Sequence, residues 1–206
     1  MRVIPFSFAW IVTRLWALCL GFEIVSYKGS SALFADVQLY DQWAANLTYS
    51  YFILLEQDPR WQYPPIPAVI FLLGYLIAAD TIGFVFLALI AGLLVFALLT
   101  KRGKQNSNSI PALIWVMAPL VMGPIILGRF DVFPTLAAVF ALLYISSAKK
   151  FGAAIAIGAL LKVWPMLLLL ASPRSTVARV ATWFTATFGV GGLLLSFWWD
   201  GNLFSF

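Results

Sequence analysis

Long apolar runs alternate with short polar or aromatic turns along the whole chain. A helix that crosses a bilayer needs about 20 mainly apolar residues. Runs at 4–25, 82–100, 110–128, 131–148 and 180–199 meet that need and are predicted to span. Two other runs are irregular. Residues 64–79 follow Tyr63 with Pro64, Pro65 and Pro67, and give only about 16 residues, or ~24 Å of helix. Residues 151–172 are interrupted at Lys162-Val163-Trp164-Pro165, where proline breaks a helix and a lysine is costly in lipid. Both segments predict short or re-entrant helices. The stretch KRGKQNSNS at 101–109 reads as a polar loop.

Composition raises this pattern to a class. Of 206 residues, 63% are hydrophobic and 10% charged, with a mean hydropathy of +0.95. Soluble domains are about half apolar and a quarter charged. The expected fold is an all-α polytopic membrane protein, a single transmembrane domain over 1–206. The first run lacks a small-residue cleavage site and reads as a retained helix. Cys19 is the only cysteine and histidine is absent. That leaves no disulfide framework, no Cys-based or His-based zinc site and no Ser-His-Asp triad. The net charge of +5 comes without a basic, aromatic-interleaved cluster, so it reads as topology signal and not as nucleic-acid binding.

Basic residues gather at Lys101, Arg102 and Lys104, at Lys149 and Lys150, and at Arg174 and Arg179. The positive-inside rule assigns all three clusters and the N-terminus to the cytoplasm. The run 64–79 then dips in and returns or lies along the outer face, and 151–172 becomes a shallow hairpin with Lys162 near its tip. Every acidic residue falls at or near the outer side. A rival topology, with the N-terminus outside and 64–79 crossing, puts the loop 28–62 opposite the Gly128-Arg129-Phe130-Asp131 turn. The loop 28–62 is too long for a simple connector. Leu33, Val37, Tyr40, Ala44 and Leu47 recur at helical spacing, and Asp36, Tyr40 and Trp43 lie on neighbouring strips of that helix. A second short amphipathic piece follows at 48–57. Two interfacial helices make a lid or platform, or a passive surface with solvated aspartates.

Four stretches occur in order: ADVQLYDQWA at 35–44, QYPP at 62–65, GRFDVFPTLAAVFALLY at 128–144 and GALLKVWPMLLLL at 158–170. Together they resemble the GT-C membrane glycosyltransferases, most nearly the bacterial mannosyltransferases that use polyprenyl-phosphate mannose. The resemblance covers nearly the whole chain, which looks like the N-terminal half of such an enzyme. It implies a GT-C-like helical bundle with the catalytic carboxylate on an outer-loop helix, here Asp36. It implies donor phosphate or sugar contacts at Tyr40, Tyr63, Arg129, Asp131 and Lys162, with Arg60 a further available cation. It implies a polyprenyl-phosphate sugar as donor substrate, a lipid or glycan acceptor, no cofactor and an active site on the extracytoplasmic side of the cell membrane. The length also fits a non-catalytic subunit or truncated copy, with a partner chain supplying missing spans.

The chemistry follows from those residue types. Transfer passes through an oxocarbenium-like state, and an acceptor hydroxyl needs a base. One carboxylate with in-line attack predicts inversion. A phosphate leaving group is already anionic and needs cations. Arg129 is suited to pair with that phosphate, with Asp131 orienting it or touching the sugar. The bland reading stays open: Arg129 and Asp131 as a helix-end ion pair, Lys162 snorkelling to headgroups, Asp41 and Asp58 simply solvated. Arg14 reads as snorkelling or paired inside the bundle. No metal site is evident. A transporter would show duplicated halves, and no internal repeat is seen.

Overall fold

A computed structural model describes residues 4–25, 34–49, 58–61, 63 and 66–200. All regular structure among them is helical. The helices are α1 (Ile4–Gly21), α2 (Ala35–Tyr49), α3 (Ile66–Ile77), α4 (Thr81–Asn106), α5 (Ile110–Met122), α6 (Ile125–Gly128), α7 (Val132–Leu143) and α8 (Ala148–Leu161). A 3-10 helix (Trp164–Ala171) and α9 (Val177–Asp200) follow. Thr81–Asn106 and Val177–Leu194 are long and apolar enough to cross a membrane, whereas Phe6–Gly21, Ile66–Ile77, Ile110–Met122 and Val132–Leu143 are shorter apolar helices, so the runs expected to span at 4–25, 110–128 and 131–148 fall short of that length. The second amphipathic piece expected at 48–57 lies almost wholly outside the described residues.

Local chemistry moves several expected boundaries. The helix α4 does not stop at Thr100 but continues through Lys101–Asn106, because Lys, Arg and Gln are good helix formers. It ends where Ser107 turns left-handed and returns its N–H to the Gly103 carbonyl. At 26 residues it is ~39 Å long, more than the ~30 Å hydrocarbon core, so its basic last turns project beyond lipid. The run 110–128 is not one helix. Gly123 takes φ 63°, its N–H closes on Pro119 O at 2.8 Å, and Pro124 starts a new short turn.

The bundle has two distinct ends. Asp80, capping the start of α4, donates its backbone N–H to Asp41 Oδ1 of α2 at 2.9 Å. Tyr63, just before α3, bonds Tyr40 of α2. Both flanks of α3 are thus tied to α2, and its 12 residues, ~18 Å, fall short of the ~30 Å hydrocarbon core. The α3–α4 corner is tight: a Cβ on Gly83 would run into the Gly74 carbonyl. The helix α8 then carries Lys149 and Lys150 at its far end and reaches Lys162 at the near one. The 3-10 helix folds back, with Pro165 against Gly158 and Leu168 and Leu169 beside Phe151 and Ile155. The expected hairpin with Lys162 at its tip is present, and its 14-residue arm is ~21 Å deep, not shallow.

The core lies under α2. Val37, Tyr40, Trp43 and Ala44 are buried at helical spacing against Ala68 and Phe71 of α3 and Phe84, Val85 and Ala88 of α4. Tyr40 stacks on Phe71 with centroids 4.3 Å apart and planes 6° from parallel. Packing in lipid gains little from the hydrophobic effect, so close aromatic and small-residue contacts hold such bundles.

Candidate functional site

The helix α2 turns its other face to the α6–α7 turn. Asp36, in its first turn, places Oδ2 2.7 Å from Arg129 Nε. The rival topology, which separates these two by the bilayer, is thereby excluded. Arg129 is extended at φ −108°, ψ 140°, so the side chains before and after it point away from its own. Phe130 goes fully into the core, against Tyr63 and Phe71, while Arg129 stays 54% exposed. The buried phenylalanine therefore anchors the turn that presents the cation.

Asp131 does not orient Arg129. It pairs with the hairpin-tip lysine, Lys162 Nζ to Asp131 Oδ1 at 2.7 Å. Two ion pairs, Asp36–Arg129 and Asp131–Lys162, thus flank one short turn, which supplies the base to the first and the acid to the second. Both are half-exposed, so each contributes little to stability, about 0–1 kcal/mol. Packing alone gives no reason for them. Beside them lies a cleft of about 440 Å³ with Trp115, Met122, Ile125, Ile126 and Val132 as apolar walls and Arg129, Asp131 and Thr135 as polar rim.

Tyr40 is buried at 2% exposure, and its hydroxyl lies 3.1 Å from that of the half-buried Tyr63. Burial, followed by the bond to Tyr63, pushes the Tyr40 phenol well above the ordinary tyrosine range. Tyr40 therefore ties α2 to the segment before α3 and lies beneath the surface that a ligand reaches, whereas Tyr63 keeps an exposed part.

Arg60 and Asp58 are bound to each other. Asp58 accepts from Trp43 Nε1 at 2.8 Å, from the Arg60 backbone N–H at 2.9 Å, and from Arg60 Nε and Nη2 at 2.9 and 2.7 Å. The Arg60 side chain above all, then the two N–H donors, holds the Asp58 carboxyl well below the usual range. The expectation that Asp58 is merely solvated fails because Trp43, buried in α2, brings its indole N–H to the loop. Asp41 fails likewise through its bond to the Asp80 N–H. Neither bond is readable from spacing, since each joins segments distant in sequence.

Arg14 is paired inside the bundle without an acid. Its Nη2 donates to Trp115 O at 2.9 Å and its Nη1 to Val116 O at 3.0 Å, with the indoles of Trp10 and Trp115 5.1 and 5.5 Å away. Pro119 has no N–H, so it leaves the carbonyl four residues earlier, that of Trp115, without its helical donor. Arg14 supplies one. Trp115 Nε1 bonds Gly92 O at 2.9 Å, so the cleft wall is fixed on both sides. A proline inside an apolar helix facing a lone arginine was the signal available for this contact.

Among the described residues, an all-helical bundle with two aspartates, two cations and an apolar-walled cleft at one end is consistent with a helical membrane glycosyltransferase. The chain belongs to glycosyltransferase family 87, whose pattern it matches over residues 61–205. That match includes Tyr63, Arg129, Asp131 and Lys162 and begins after Asp36. No curated protein and no solved structure gives a significant match.

Proposed function

We propose that this glycosyltransferase moves a hexose, mannose by the resemblance above, from a polyprenyl-phosphate donor to a lipid or glycan hydroxyl. The contact between Asp36 and Arg129 carries the reading. It brings the one carboxylate suited to act as base within 2.7 Å of a half-exposed guanidinium that suits a phosphate. The donor phosphate occupies the cleft rim and takes Arg129 from Asp36, with Lys162 as second cation. Asp36, released, accepts the proton of the attacking hydroxyl. The C1–O bond to phosphate breaks as the new glycosidic bond forms on the opposite face, so configuration inverts. The phosphate leaves as an anion and needs no protonating acid.

The apolar walls of Ile125, Ile126 and Val132 suit the first prenyl carbons. The site end faces away from the cytoplasm in this reading, because Lys101, Arg102, Lys149 and Lys150 gather at the other end. Tyr63 lies near enough to the site end to contact sugar, and Tyr40 and Arg60 act by holding α2 and the segment before α3. Membranes carrying Asp36→Asn, supplied with radiolabelled polyprenyl-phosphate mannose, test the assignment. Transfer is expected to fall by about 10²-fold or more. Transfer at the wild-type rate would remove Asp36 from the chemistry.

A further inference from the structure

The end of the bundle opposite the ion pairs has its own cavities. A groove of about 660 Å³ runs between α4, α7 and α8, walled by Leu94, Leu136, Phe140 and Ala153. Its only charged lining residues are Lys149 and Lys150, at one mouth. The other extreme is closed by Ile70 and Leu161, and Lys162 does not line it. A second pocket of about 310 Å³ adjoins it, lined by Lys101, Arg102, Gln105, Tyr144 and Ser146, and Leu98 lines both. The ion pairs among the described residues, Asp58–Arg60, Asp36–Arg129 and Asp131–Lys162, all use other cations. Lys149 and Lys150 rest on aromatic faces, 4.8 Å from the Trp183 ring centre and 4.4 Å from that of Tyr144. The lysines line the groove with their carbon stems, and those contacts hold the two ammonium groups just beside it without neutralising them.

We propose that this groove and pocket bind an anionic phospholipid, one acyl chain along α8 and the phosphodiester between Lys149, Lys150, Lys101 and Arg102. Charge decides the occupant. A zwitterionic lipid brings a choline or amine among four cations, whereas a net anionic headgroup brings only its phosphate. The direction is fixed too, since the cations stand at one mouth only. A lipid so bound covers apolar faces of α7 and α8 and braces the hairpin whose tip carries Lys162. The site is separate from the one proposed for sugar transfer and needs no donor to be read.

Thermal unfolding of the purified protein in a neutral detergent tests this. Added short-chain phosphatidylglycerol is expected to raise Tm by about 4 °C, and phosphatidylcholine with the same chains by under about 1 °C. Glycerol phosphate, a headgroup without chains, is expected to do nothing. Lys149→Gln/Lys150→Gln and Ala153→Phe, which fills the groove, are each expected to lose the response. Lys104→Gln, a basic residue outside both cavities, keeps it. An equal rise with phosphatidylcholine, a full rise with glycerol phosphate, or a response surviving in the double variant or in Ala153→Phe overturns the proposal. If the double variant does not yield folded protein, Ala153→Phe and the single lysine variants decide it.

Discussion

Asp36 of α2 and Arg129 of the α6–α7 turn lie far apart in sequence, yet their side chains meet at 2.7 Å. The meeting depends on Phe130. Its ring is fully buried between Tyr63 and Phe71, and the extended residue before it is thereby directed outward to α2. A core contact sets the position of a surface charge.

Arg129→Gln is expected to raise the KM for the lipid-linked donor by about 10-fold or more, since a charge-assisted contact to phosphate is worth about 1.5–3 kcal/mol. Thermal stability should change by less than about 1 kcal/mol, because the pair with Asp36 is half-exposed. Steady-state kinetics beside a melting curve separate the two effects. Equal losses in Tm and activity would make the pair structural.

The pair Asp131–Lys162 joins the α6–α7 turn to the hairpin tip. A double-mutant cycle with Asp131→Asn and Lys162→Gln is expected to give a stability coupling of about 0.2–1 kcal/mol. Activity should fall about 10-fold or more in each single variant. A stability coupling well above that range would assign Lys162 to architecture.

Arg14→Met removes a charged donor from the Trp115 carbonyl that Pro119 leaves free, and is expected to destabilise by about 1.5–3 kcal/mol. Pro119→Ala restores a helical N–H for that carbonyl. The double variant should therefore be more stable than Arg14→Met alone. Denaturation in detergent of the four proteins reads the sign of the coupling, and simple additivity would refute the pairing of Arg14 with the proline kink.

Tyr40→Phe keeps the stack on Phe71 and loses the bond to Tyr63, and is expected to cost about 1 kcal/mol. The folded phenol has a raised pKa, so its neutral form favours the folded state. That contribution is full below the unfolded value of about 10 and is lost as pH rises through the folded value. Ultraviolet titration above about pH 10 should therefore count Tyr40 as a tyrosinate in the unfolded chain and not in the folded one. Tyr40→Phe should lower the tyrosinate count of the unfolded chain by one and leave that of the folded protein unchanged.

Apolar run length, proline positions and helical spacing identified a helical membrane protein, located the break at Lys162–Pro165, and marked α2 as an amphipathic helix carrying Asp36. These are legible because hydropathy and proline act locally, residue by residue. The ordered motifs pointed to the glycosyltransferase class and to Arg129, Asp131 and Lys162 as neighbours of one site. The partners were not legible. Asp131 faces Lys162 and not Arg129; Asp58 belongs to Trp43 and Arg60; Asp41 holds the Asp80 N–H; Tyr40 is buried under the surface it was expected to line. Each contact joins segments whose approach depends on how whole helices pack, on the Gly83 corner, the Gly123–Pro124 break and the fold-back at Pro165. Which helices form is written in local apolar periodicity, but which charge meets which is decided only when long-range packing of aromatic and small residues brings the helix ends together.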